Sequence, residues 1–121
     1  MGITISEALK LQNRSKYRNK RIVVDGETFD SKREAQRWYE LKLLRRAGVV
    51  TDLQRQVPFV LIPEQKVAGK TVERPVKYVA DFVYKRNGEM IIEDAKGVRT
   101  KEYVIKRKLM LYVHGIRVQE V

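Results

Sequence analysis

The chain has 121 residues, enough for one domain with a single core and too short for two. It has no cysteine and one histidine, His114, which excludes disulfides, thiolate zinc centres and histidine-rich sites; any bound metal is hard and oxygen-bound. Its net charge of +11 points to a polyanion partner, most simply nucleic acid, with an anionic membrane surface as the weaker alternative.

No apolar run is long enough to span a membrane, the N-terminus lacks the apolar stretch of a signal peptide, and the absence of cysteine makes an intracellular setting the simplest expectation. Thr4 and Glu7 stand at capping-box spacing and suggest a short helix from about Ile5 to Gln12. A basic arm follows, with Arg14, Lys16, Arg18, Lys20 and Arg21, one aromatic (Tyr17) and no acid. It reads either as an arm gripping phosphates or as a solvated linker.

Residues 22–24 and 27–29 flank Asp25-Gly26 and read as a small hairpin. Ser31 is then an N-cap with Glu34 three residues on, opening a helix from about Lys32 to Arg46 that stops near Gly48. Ala35, Trp38, Leu41 and Leu44, with Tyr39 and Leu43, give this helix a broad apolar face. Glu34 has two competing roles, half of a capping box or a carboxylate aimed inward. The next strand is expected at about Gln56–Ile62, with Pro58 confining it to an edge or a bulge. Residues 63–75 read as a polar loop or loose hairpin tip. Gly69-Lys70-Thr71 resembles the end of a P-loop, but position 64 is Glu64 and no helix pattern follows, so that reading fails.

The central stretch is Tyr78–Lys96. Asn87-Gly88 favours a two-residue turn, because both residues tolerate positive φ. That turn fixes the register: Arg86 faces Glu89, Val83 faces Ile92, and Asp81 lands opposite Asp94. Lys96 shares the face of Asp94, because strand side chains alternate. Facing carboxylates repel unless something compensates them. A divalent cation could do so, or Lys96 could bridge the two acids on an ordinary exposed hairpin face. After Gly97, Thr100 can cap a helix from about Lys101 to Val113. Ile105, Leu109 and Tyr112 line one side, with Val104, Leu111 and Val113 widening it, and Lys101, Lys106, Arg107 and Lys108 form a basic face. Gly115 ends the helix, and Ile116–Glu120 reads as a last strand.

The resulting order is helix, three strands, helix, strand. With Glu34, Asp81 and Asp94-Ala95-Lys96 it resembles the PD-(D/E)xK nuclease superfamily. Segments FDSKREA, YVADFVY and IIEDAKG are similar to those of a small family of phage-encoded nucleases in that superfamily, from about Lys16 onward. In size and basicity the chain also resembles the archaeal-type Holliday junction resolvases, which are homodimers. Proline commonly precedes the first motif aspartate; here the residue is Ala80.

The resemblance implies an α/β fold with an αβββαβ core and a mixed sheet, preceded by the short basic extension. It implies metal-dependent hydrolysis of DNA phosphodiester bonds, with Mg²⁺ (or Mn²⁺ in its place) held by Asp81 and Asp94 and joined by Glu34. Lys96 would position the nucleophile or neutralise developing charge. Arg14, Lys16, Arg18, Lys20, Arg21, Lys101, Lys106 and Arg107 would track the DNA backbone, favouring a DNA shape such as a junction over a base sequence. The first expectation is therefore a phage or prophage Holliday junction resolvase, cytoplasmic and homodimeric. The alternatives are a nicking, flap or restriction-like nuclease of the same chemistry, or a nucleic-acid-binding protein whose acids are structural.

Overall fold

The structure, a computed structural model, describes residues 21–121, so the expected Ile5–Gln12 helix and the arm residues Arg14, Lys16, Arg18 and Lys20 lie outside the described residues. The described residues divide into two compact units, 21–49 and Val50–Val121.

In the first unit, β1 (Ile22–Val24) and β2 (Glu27–Phe29) form the expected hairpin. Its turn residues Asp25 and Gly26 both hold positive φ, 51° and 79°, as a two-residue turn between twisted strands requires. Helix α1 (Lys32–Arg46) starts at Ser31, whose hydroxyl accepts from the Glu34 N–H at 3.1 Å. Ala35, Trp38 and Leu41 are buried with Ile22 and Phe29, while Tyr39 and Leu43 are exposed, so the apolar face is narrower than its composition suggests. The Trp38 indole donates to Glu27 Oε2 at 3.0 Å, satisfying the ring's one polar atom.

The second unit is built on a four-stranded sheet ordered β3-β6-β7-β8, formed by β3 (Thr51–Ile62), β6 (Val76–Arg86), β7 (Glu89–Asp94) and β8 (Gln119–Glu120). The first three strands are antiparallel neighbours, and β7 pairs with β8 in parallel. A parallel pair needs a crossover, and helix α2 (Lys101–His114) supplies it. The fold is thus mixed α and β with a mixed sheet and two helices, and the order α1, β3, β6, β7, α2, β8 is the one expected. Between β3 and β6 the chain inserts a hairpin of β4 (Gln65–Val67) and β5 (Lys70–Glu73), where a loose tip was expected.

Three expectations need correction. The β3 strand begins at Thr51 rather than Gln56, because register shifts and positive φ at Asp52 (52°) and Gln56 (53°) absorb the irregularity without ending the pairing. Pro58 is tolerated because β3 lies at the sheet edge. The last strand is two residues long, since only Gln119 and Glu120 reach the β7 ladder. On α2 the buried residues are Tyr103 and Met110, with Val104 and Leu109 packed partly against the core. Ile105, Leu111, Tyr112 and Val113 face outward, and Tyr112 is 88% exposed. The apolar residues of α2 surround the helix almost completely, so composition alone points it the wrong way.

The core joins Leu61, Tyr78, Ala80, Val83, Ile92, Tyr103, Met110 and Val118. Gly115 closes α2 in the left-handed conformation, φ 67°, with its N–H on the Leu111 carbonyl at 3.0 Å. His114 is the last helical residue, as its position before Gly115 suggested, and its Nε2 lies 2.7 Å from the Val60 carbonyl oxygen. No helix among the described residues is long and apolar enough to cross a membrane.

The observed facing of α2 gives a direct check. Met110→Ala should cost about 3 kcal/mol of unfolding free energy, as expected for emptying a fully buried site. Tyr112→Ala should stay within roughly 0.5 kcal/mol. Chemical denaturation of the two variants measures both, and equal costs would contradict the orientation described.

Candidate functional site

The site begins with the turn. Asn87 and Gly88 hold φ of 53° and 78°, and the ladder runs from Arg86↔Glu89 to Phe82↔Glu93. One step further in the same register are Asp81 and Asp94. Along β6, Tyr78, Ala80, Phe82 and Tyr84 are buried in alternation, and Val83 between the last two is buried as well. On the neighbouring strand, Gln56 holds its left-handed backbone and donates its side-chain amide to Asp81 Oδ1 at 3.3 Å. Such irregularities re-aim side chains, and they cluster near functional sites.

Asp81 is partly exposed, whereas Asp94 is only 2% exposed. Asp81 Oδ2 accepts from the Ala95 N–H at 2.9 Å, which ties the end of β7 to β6. Asp94 Oδ2 accepts from the Tyr78 hydroxyl at 2.6 Å. Asp94 Oδ1 is buried without a hydrogen-bond partner. Lys96 Nζ lies 3.3 Å from that oxygen as an ion pair, outside hydrogen-bonding geometry. The same ammonium sits 4.4 Å from the centre of the Tyr103 ring, an attractive position for a cation over a π face.

Burial first, and the neighbouring Asp81 charge second, together push the Asp94 carboxyl up to about 6 against the opposing Tyr78 hydrogen bond. Burial likewise raises the Tyr78 hydroxyl, and its bond to Asp94 adds to the effect, so it remains a donor. Asp81, Asp94 and Lys96 are therefore brought together as the sequence register anticipated.

Glu34 belongs to the first unit. It is 2% exposed, its N–H donates to the Ser31 cap, and its Oε1 receives the Asp30 N–H at 3.4 Å. The capping role is thus realised, reaching one residue behind the usual position. Among the described residues, no three or more His, Cys, Asp or Glu side chains are grouped to hold a metal ion.

The basic residues expected to contact DNA differ in their commitments. Arg21 and Lys101 are exposed. Lys106 pairs with Glu102 at 3.1 Å along the helix, and Arg107 pairs with Glu120 at 3.0 Å. Sequence reasoning missed Gln56, Tyr78, Tyr103 and Glu120. Tyr78 precedes Asp81 by three residues and carries no motif. Glu120 reaches the site only through the parallel β7–β8 pairing, which no local turn encodes.

Residues 14–119 match the DUF1064 family, described as protein of unknown function (DUF1064), and the chain belongs to that family. No curated protein and no solved structure matches the chain.

The site makes a pH prediction. An acid with folded pKa about 6 and an ordinary value of 3.8 holds its proton more tightly when folded. Its stabilising contribution is full below the ordinary value and is lost as pH rises through about 6, on the order of 3 kcal/mol. Asp94→Asn mimics the protonated acid, so without metal it should melt higher than the wild type at neutral pH and match it near pH ~4. Melts in chelator across this range check the difference; a constant offset at every pH would contradict it.

Proposed function

We propose that this protein is a Mg²⁺-dependent, structure-selective DNA endonuclease and that its substrate is a four-way junction. The observation carrying the reading is the carboxylate pair itself: Asp81 and Asp94 share one site, and Asp94 Oδ1 is buried without a hydrogen bond. The donor set is all oxygen, which suits a hard cation. Mg²⁺ commonly takes one or two protein carboxylates and fills its other positions with water and phosphate oxygens, so two acids are a sufficient protein contribution. The resemblance to PD-(D/E)xK nucleases implies Glu34 as a third carboxylate, a role that competes with its cap for the same oxygens.

When bound, the metal supplies an activated water and stabilises charge on the phosphate. The chain's own residues do the remaining work. Asp81 is held by Ala95 and Gln56, and Asp94 by Tyr78, so both carboxylates are oriented before substrate arrives. Lys96 brings a positive charge to the Asp94 oxygen and is steadied by the Tyr103 ring, placing it to offset charge on a reacting phosphate. The +11 charge supports backbone-dominated DNA binding. Cutting both strands of a junction symmetrically needs two sites, and we propose a homodimer. An intracellular, phage or prophage setting fits this reading.

Asp81→Asn and Asp94→Asn should each abolish Mg²⁺-dependent cleavage with DNA binding retained, and Lys96→Ala should reduce turnover by at least about 100-fold. Junction, flap, duplex and single-stranded substrates assayed side by side identify the preferred DNA. Junction cleavage by a protein that is dimeric in light scattering is the expected result. Preference for flap or nicked duplex by a monomer would favour the other nuclease chemistry. Full cleavage by either purified aspartate variant would contradict the assignment of the site.

A further inference from the structure

A cleft of about 840 Å³ opens beside the carboxylate site, between α2 and the chain leading into β8. Its wall carries Arg99, Arg107, Lys108 and Arg117, four cations against the single carboxylate of Glu120. Its charge is wrong for a neutral or cationic ligand and right for phosphates.

Glu120 holds the two arginines that would otherwise face the cleft. Its Oε1 accepts from Arg99 Nε at 2.6 Å, and its Oε2 accepts from Arg107 Nη1 at 3.0 Å and from the Tyr103 hydroxyl at 2.7 Å. These bonds, led by that of Tyr103, hold the Glu120 carboxyl down to about 2, so it is charged throughout the physiological range. A carboxylate gripped by two guanidinium groups occupies the position an oxyanion of phosphate would take. The outer cations, Lys108 and Arg117, are exposed and form no ion pair with an acid among the described residues.

Hydrogen bonds and a ring contact link the lining of the cleft to the proposed catalytic residues. Glu120 pairs with Asp94 in the parallel ladder, and the Val121 N–H donates to the Asp94 carbonyl at 3.0 Å. Tyr103 bonds Glu120 through its hydroxyl and carries Lys96 over its ring. Arg99 and Arg107 are therefore linked to Lys96 through Glu120 and Tyr103.

We propose that this cleft is a phosphate subsite for a DNA backbone, and that Glu120 occupies it in the free protein as an internal stand-in for phosphate. The inference rests on the nucleic-acid reading above, but not on cleavage. An incoming phosphate takes over the guanidinium bonds of Arg99 and Arg107, while Lys108 and Arg117 draw the strand toward them.

The test is fluorescence anisotropy of a labelled DNA duplex with the full-length protein in chelator, over a range of salt. The double variant Lys108→Glu/Arg117→Glu, changed only at exposed positions, should bind about tenfold or more weakly and flatten the log K against log salt slope by roughly 2. Glu120→Gln keeps an acceptor for Tyr103 but loses the competing charge, and should bind DNA about tenfold more tightly. A double variant that binds as the wild type does overturns the subsite. Unchanged or weaker binding by Glu120→Gln overturns the stand-in role. Both binding shifts in a protein that never cleaves DNA would leave the subsite standing and remove the nuclease reading. Cleavage by the wild type, with binding unaltered in the variants, would remove the subsite alone.

Discussion

Two carboxylates on adjacent strands repel, and burying one of them makes the repulsion harder for solvent to screen. Asp81 and Asp94 are in that position, and much of the second unit is arranged around tolerating it. The Asn87-Gly88 turn forces the register, so the repulsion cannot be relieved by sliding one strand. The fold answers with individual contacts instead: the Tyr78 hydroxyl on one Asp94 oxygen, the Ala95 N–H and Gln56 amide on the two Asp81 oxygens, and Lys96 alongside. What is left over is Asp94 Oδ1, a buried oxygen without a hydrogen bond. A buried acceptor in that state costs on the order of 1–3 kcal/mol. Retaining this cost is reasonable where the oxygen has another partner to meet.

The neighbouring Glu120 cluster shows the opposite solution. There one carboxylate faces a surplus of donors and is fully engaged, with its pKa driven down rather than up. The two acids are ladder partners, Asp94 with Glu120, yet their environments push their affinities for protons apart. Separation of this kind lets adjacent groups take different tasks at one pH. Tyr103 joins them, since its hydroxyl serves Glu120 and its ring serves Lys96.

Local chemistry carried much of this into the sequence. The hairpin turns at Asp25-Gly26 and Asn87-Gly88, the caps at Ser31 and Thr100, and the stop at Gly115 were legible because each depends on a backbone demand that few residues meet. The Asp81–Asp94–Lys96 grouping was legible because a two-residue turn transmits its register along both strands. What was not legible depends on contacts distant in sequence. The early start of β3 rests on pairing with β6 across a register shift between Thr51 and Gln54, which no local turn encodes, and the left-handed backbone at Gln56 falls on a residue type that rarely adopts it. The facing of α2 was misread because Ile105, Leu111 and Tyr112 are as apolar as the residues that are buried. Glu120 looked like the end of a plain strand, since its partners come from α2 and from the turn before it.

The central claim is that the Asp81–Asp94 pair is a hard-cation site. Anomalous scattering from crystals of the full-length protein grown with Mn²⁺ tests it most directly, because it reads the ion's position without depending on turnover. The account predicts a peak in contact with oxygens of both Asp81 and Asp94, with Oδ1 among the Asp94 ligands. A difference map with no peak there, and the Lys96 ammonium hydrogen-bonded between the two carboxylates in its place, would contradict it.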